Sequence, residues 1–170
     1  MKLPKKKIRD SVKEFNEIQK FNSPLIWAIM FIAALGGIVA LSLPAQQNEE
    51  LTIIPELFIV SALMIVILMF VYGYLKTTIN DSEIKIEMRI LFRFGRIIRW
   101  EEIESVKVEK YRPILEFGGW GYRIGWKGVA YNCRGNNGLI IRLKNGRKIV
   151  IGTQKPDELK KFLAENGKGI

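Results

Sequence analysis

Two long uncharged stretches, Leu25–Leu43 and Leu57–Leu75, break a chain that otherwise alternates apolar and polar positions. Each is 19 residues. At about 1.5 Å rise per residue each would span roughly 28 Å, close to the hydrocarbon thickness of a bilayer. The pattern predicts a transmembrane helical hairpin over 25–75, with crossing helices at 25–43 and 57–75. Ser23-Pro24 supplies a helix start, Ser as cap and Pro in the first turn. Ala33-x-x-x-Gly37 and Gly36-x-x-x-Ala40 offer small residues against which a second helix packs closely. That partner is the other helix of the hairpin, or a second copy of the chain. Before the hairpin, residues 1–24 read as a basic amphipathic segment. Ile8, Val12, Phe15 and Ile18 fall at helical spacing, with Lys5, Lys6 and Lys7 beside them.

From residue 76 the period shortens to two. Thr77–Asn80, Glu83–Met88, Arg96–Trp100 and Ser105–Tyr111 read as strands. Gly138–Leu143 and Arg147–Ile151, joined through Asn145-Gly146, read as a hairpin with a type I′ turn. Trp100–Ile103 reads as a short helical turn. Pro156–Asn166 reads as a closing helix with Leu159, Phe162 and Leu163 on one face. The expected fold class is an α+β membrane protein, in which about seven strands form a small β-barrel or sandwich capped by the C-terminal helix. The expected domains are 1–24, 25–75 and 76–170.

Charge orients this arrangement. Residues 1–24 carry seven Lys/Arg and the segment Pro44–Glu56 carries none. Basic flanks stay on the cytoplasmic side. The expectation is a multi-pass protein of the cell (inner) membrane with both termini cytoplasmic. A cleavable leader ending near Ala40-Leu41-Ser42 is the competing reading of the first stretch. The net charge is +10 over 170 residues, with no His and one Cys. Absence of His removes His-based triads, metal sites and proton shuttles, and a single Cys removes intrachain disulfides and multi-cysteine metal sites. No metal and no cofactor is expected.

Trp100-Glu101-Glu102-Ile103-Glu104-Ser105-Val106, Phe117-Gly118-Gly119-Trp120-Gly121-Tyr122-Arg123 and the Asn-Gly hairpin leading to Ile151-Gly152-Thr153-Gln154 carry a resemblance. The order and size resemble the pleckstrin-homology-like (PH-like) fold, and in particular bacterial PH-like domains held behind two membrane helices. Glu17-Ile18-Gln19-Lys20-Phe21 before Trp27 is similar to an uncharacterised prokaryotic membrane family of this layout. The resemblance implies a fold and no reaction. Phosphoinositide-binding members carry Lys/Arg around the first strand–strand loop, whereas Asn80-Asp81-Ser82-Glu83 is acidic here.

Three groups of residues bear on function. Arg93, Arg96 and Arg99, among Leu91, Phe92 and Phe94, together with Lys5, Lys6 and Lys7, are candidates for contact with an anionic membrane surface. Their alternative role is a solvated edge that deters strand pairing. Trp120, Tyr122, Arg123 and Trp126, within a segment of five glycines, are a candidate ligand or partner platform, or else packing of the barrel. Glu101, Glu102 and Glu104 point apart along a turn and read as a solvated face, and Cys133 lacks a basic partner. The expected function is a non-enzymatic binding or scaffold module held at the cytoplasmic face of the membrane. Its expected partners are membrane lipids, with a protein partner or a homo-oligomer through the helices, and not nucleic acid. A small membrane-surface enzyme or an accessory subunit of a transporter is the alternative.

Overall fold

The computed structural model describes residues 14–21, 24–42, 53–125 and 128–168. In chain order these form β1 (Phe15–Lys20), α1 (Pro24–Ser42), α2 (Ile53–Tyr72), β2 (Tyr74–Ile79), β3 (Glu83–Arg89), β4 (Arg93–Arg99), β5 (Ile103–Lys110), α3 (Pro113–Phe117), β6 (Gly121–Gly125), β7 (Gly128–Asn132), β8 (Asn137–Leu143), β9 (Lys148–Gly152) and α4 (Pro156–Glu165). A single 3₁₀ turn, Trp100–Glu102, joins β4 to β5.

The strands make two sheets. One has the order β1-β2-β3-β4, all antiparallel. The other has the order β5-β8-β9-β7-β6, with β7 parallel to β9. Among the described residues no ladder joins the sheets, so in place of the expected small barrel or sandwich of about seven strands there are two separate sheets packed on one core, and no closed barrel. The alternation of β2 and β3 sends Leu75, Ile79, Ile84, Ile86 and Met88 inward, against Leu139, Ile141, Leu143, Ile149 and Ile151 of the second sheet. Leu159 and Leu163 of α4 close one margin of this core, and Phe162 meets Phe15 at 5.9 Å between ring centroids. α3 covers the other face of the second sheet, where Tyr111, Phe117, Ala130 and Val150 cluster.

Four expectations are corrected. A crossing helix needs about 20 consecutive, predominantly apolar residues. Among the described residues no helix is long and apolar enough to cross a membrane. The transmembrane hairpin, and the multi-pass inner-membrane placement with both termini cytoplasmic, are overturned on that finding. α1 and α2 do pack on each other. A Cβ built on Gly37 would lie 3.8 Å from Leu63 Cδ1, so the small residue stands where the second helix comes close. Large apolar side chains remain exposed on both, including Phe31 and Phe58.

The second correction is the architecture itself: among the described residues there are nine strands in two open sheets, where about seven in a barrel or sandwich were expected. The third is β1. Phe15–Lys20 is a strand, not part of an amphipathic helix. Phe15, Glu17 and Gln19 face inward, while Ile18 faces out and is 64% exposed. The apolar spacing that suggests a helix places Ile18 on the wrong side of the strand. Lys5, Lys6, Lys7, Ile8 and Val12 lie outside the described residues. The fourth is the turn between β8 and β9. It is a three-residue loop, Lys144–Gly146, closed by hydrogen bonds from Gly146 N to Leu143 O and from Leu143 N to Arg147 O. Gly146 takes a positive φ, at 80°, and with these bonds the loop has the pattern of a bulged three-residue connection rather than of a two-residue type I′ turn.

Candidate functional site

The helix-proximal end of the molecule is set by the way β1 and β2 meet the helices. β1 runs through Phe21 toward α1, and α2 runs through Gly73 into β2. Lys20 pairs with Tyr74 across this end. Gly73 makes the junction close: a Cβ there would fall 2.6 Å from Met69 O and 2.7 Å from Phe21 Cδ2. Phe21 in turn stands edge-on to Phe70 of α2 at 5.6 Å.

Register then carries the same end across the first sheet. Lys20 opposes Tyr74, Tyr74 opposes Arg89, and Arg89 opposes Arg93. One step in from that row, Ile18, Lys76, Glu87 and Gly95 oppose one another in turn. Residues two apart on a strand share a face. The outer face of the sheet therefore carries Lys20, Lys76, Arg89 and Arg93 in one band beside the helices, with Glu87 as its single acid. Arg93 Nη2 lies 2.9 Å from Glu87 Oε2, and Tyr74 donates its hydroxyl to Glu87 Oε1 at 2.7 Å. These bonds, Tyr74 first and Arg93 second, hold the Glu87 carboxyl below the usual range, and the same bond raises the Tyr74 phenol. The β3–β4 loop continues the band outward: Leu91 is 57% and Phe92 76% exposed.

This placement divides the arginines that the sequence groups together. Arg93 and Arg99 share the outer face but stand at opposite ends of β4, roughly 20 Å apart at strand spacing. Arg96 points to the other face and is half-buried. It lines a separate recess with Ile124, Gly125 and Val129.

The aromatic segment lies against the same end from the inner side. Trp120, Tyr122 and Arg123 line a cavity of about 380 Å³ with Phe21, Met69, Phe70, Ile90, Gly119 and Gly121. Its walls thus come from the β1–α1 junction, the end of α2, the β3–β4 loop and the entry to β6. Tyr122 bridges the two sheets, its ring 5.1 Å from both Phe94 and Tyr131. Trp120 donates its indole N–H to Gly135 O at 3.1 Å. Arg123 Nε donates to Trp120 O at 3.0 Å, which fixes the guanidinium at the cavity mouth. Trp126 lies outside the described residues.

A second, polar seam ties β1 to the far sheet. Buried Glu17 accepts from Thr153 Oγ1 at 2.7 Å and from Gln154 N at 2.6 Å. Gln19 Nε2 donates to Gly152 O, and Cys133 Sγ lies 3.7 Å from Gln19 O. Gln19 Oε1 and Thr77 Oγ1 are buried without a hydrogen-bond partner among the described residues. Cys133 itself is fully buried, and burial pushes its thiol up to about 12. Such a thiol is a packed side chain and a poor nucleophile. Glu101, Glu102 and Glu104 do not converge: all three are exposed, and the Glu102 carboxylate turns back to Arg99 N at 3.4 Å. Among the described residues, no group of three or more His, Cys, Asp or Glu could hold a metal ion.

The structure brings Trp120, Tyr122 and Arg123 to one cavity, and sequence reasoning misses Lys20, Lys76, Glu17 and Gln19. Lys20 and Lys76 join the band only through the β1–β2 register, which no local pattern displays. Glu17 and Gln19 are polar groups on a buried face, the reverse of the usual alternation. No family model matches the chain, and no curated protein matches it.

Proposed function

We propose that the chain is a non-enzymatic binding module that docks on an anionic lipid surface through its helix-proximal end. The observation that carries this reading is the shared edge of Lys20, Lys76, Arg89, Arg93 and the exposed Leu91–Phe92 tip. Four cations and one carboxylate leave the band at net +3. Each basic group near an anionic leaflet is worth about 1 kcal/mol, so the band contributes about 3 kcal/mol, or about two orders of magnitude in affinity. Leu91 and Phe92 add apolar burial as they enter the headgroup layer. The cavity beside the band supports binding rather than catalysis: among the described residues its one charged wall residue is Arg123, which does not exchange protons near neutral pH.

Co-sedimentation of the full chain with vesicles tests this. Vesicles containing anionic lipid are expected to bind, with affinity falling as salt rises. Replacing Lys20, Lys76 and Arg89 together by Ser should lower that affinity about a hundredfold. Arg99→Ser, at the far end of β4, should leave it unchanged. Equal loss from Arg99→Ser, or equal binding of the triple variant and the parent, would overturn the assignment.

A further inference from the structure

The cavity at the helix-proximal end has a definite chemistry. At about 380 Å³ it falls within the range of roughly 300–1,000 Å³ typical of small-molecule sites. Phe21, Met69, Phe70 and Ile90 give it aliphatic and aromatic walls, and Gly119 and Gly121 withdraw side chains from one side. Among the described residues that line it, Arg123 alone is charged. With Nε committed to Trp120 O, the terminal nitrogens of that guanidinium have no hydrogen-bond partner among the described residues. A neutral apolar ligand would leave this cation idle, and a small hydrophilic anion would leave the apolar walls wet. An amphiphile satisfies both, its hydrocarbon chain buried and its acid on the guanidinium. The volume suits one chain rather than the paired chains of a diacyl lipid. A flat guanidinium matches a planar carboxylate better than a compact ammonium would.

We infer that this cavity binds a long-chain fatty acid, with its chain between Phe21, Met69, Phe70 and Ile90 and its carboxylate on Arg123. The inference deepens the lipid-surface reading, but its test uses no vesicle, so either can fail alone. Displacement of a fluorescent long-chain fatty acid from the full chain measures it. The unlabelled acid should displace the label about tenfold better than the alcohol of equal chain length, the worth of a hydrogen bond to a charged group. Arg123→Ala should lower affinity for the acid to that of the alcohol and leave the alcohol unaffected, while Arg123→Lys should retain part of the difference. Met69→Trp and Ile90→Trp fill the cavity from α2 and from the β3–β4 loop and should each abolish binding of both ligands, with the melting temperature held. The Lys20, Lys76 and Arg89 triple variant should keep fatty-acid binding intact. Equal affinity for acid and alcohol, an unchanged Arg123→Ala, or binding that survives both tryptophan variants would overturn the inference, the last by placing the ligand on the outer helix faces.

Discussion

Glu17→Ala should cut β1 loose from the second sheet. The carboxylate is buried, and each of its oxygens has one donor: Thr153 Oγ1 at 2.7 Å and Gln154 N at 2.6 Å. A hydrogen bond to a charged group contributes about 1.5–3 kcal/mol. The Thr153 hydroxyl keeps one contact after truncation, because it also accepts from Lys155 N at 3.0 Å. The lower end of the range applies to each bond, for a total of about 3 kcal/mol. For a chain of this size that lowers the melting temperature by about 6–12 °C. Urea unfolding followed by tryptophan fluorescence is the direct assay, since a shift in midpoint at constant slope reports stability alone. Glu17→Gln keeps an acceptor for one donor and should lose about half as much. A change below about 0.5 kcal/mol for Glu17→Ala, the range of an ordinary surface substitution, would refute the claim that this carboxylate anchors the strand.

Other outcomes follow from the same packing. Cys133 should resist maleimide in the folded chain and react once urea unfolds it, because its thiol is buried and raised to about 12. Burial also raises the Tyr111 phenol to about 12. Both groups hold their protons longer when folded than when unfolded, so stability should fall as pH climbs from about 9 toward 12. Cys133→Ala should flatten that fall, as urea midpoints across the alkaline range would show. Gly73→Ala should cost about 1–3 kcal/mol by forcing a methyl against Met69 O and Phe21, measured by thermal unfolding.

Local patterns reveal the elements whose periodicity agrees with their burial. The alternation in β3 (Ile84, Ile86, Met88 inward), the β8–β9 hairpin and the Leu159–Leu163 face of α4 are of this kind. β1 is not, because Glu17 and Gln19 stand on its buried face, where the Glu17 carboxylate and the Gln19 amide nitrogen bond to groups more than 130 residues away. α3 is five residues long, too short for a period to show, and rests on Pro113 at its start. The parallel pairing of β7 with β9 is a long-range choice that no stretch of chain displays by itself. For the candidate site, the aromatic half was legible through its density of Trp, Tyr and Gly. The basic band was not, since Lys20, Lys76, Arg89 and Arg93 are neighbours only after four strands have found their register.

The insertion of α1 and α2 between two adjacent strands sets an order for folding. β1 and β2 pair directly, yet residues 21–73 separate them. Closing a loop of roughly 50 unstructured residues costs about 3 kcal/mol more than closing a two-residue turn. A helix pair formed beforehand brings its own two ends together and removes most of that penalty. The β1–β2 ladder should therefore zip last, after α1 has met α2. A bulky residue at Gly37, where Leu63 approaches, would then slow refolding more than it speeds unfolding, although it touches no strand.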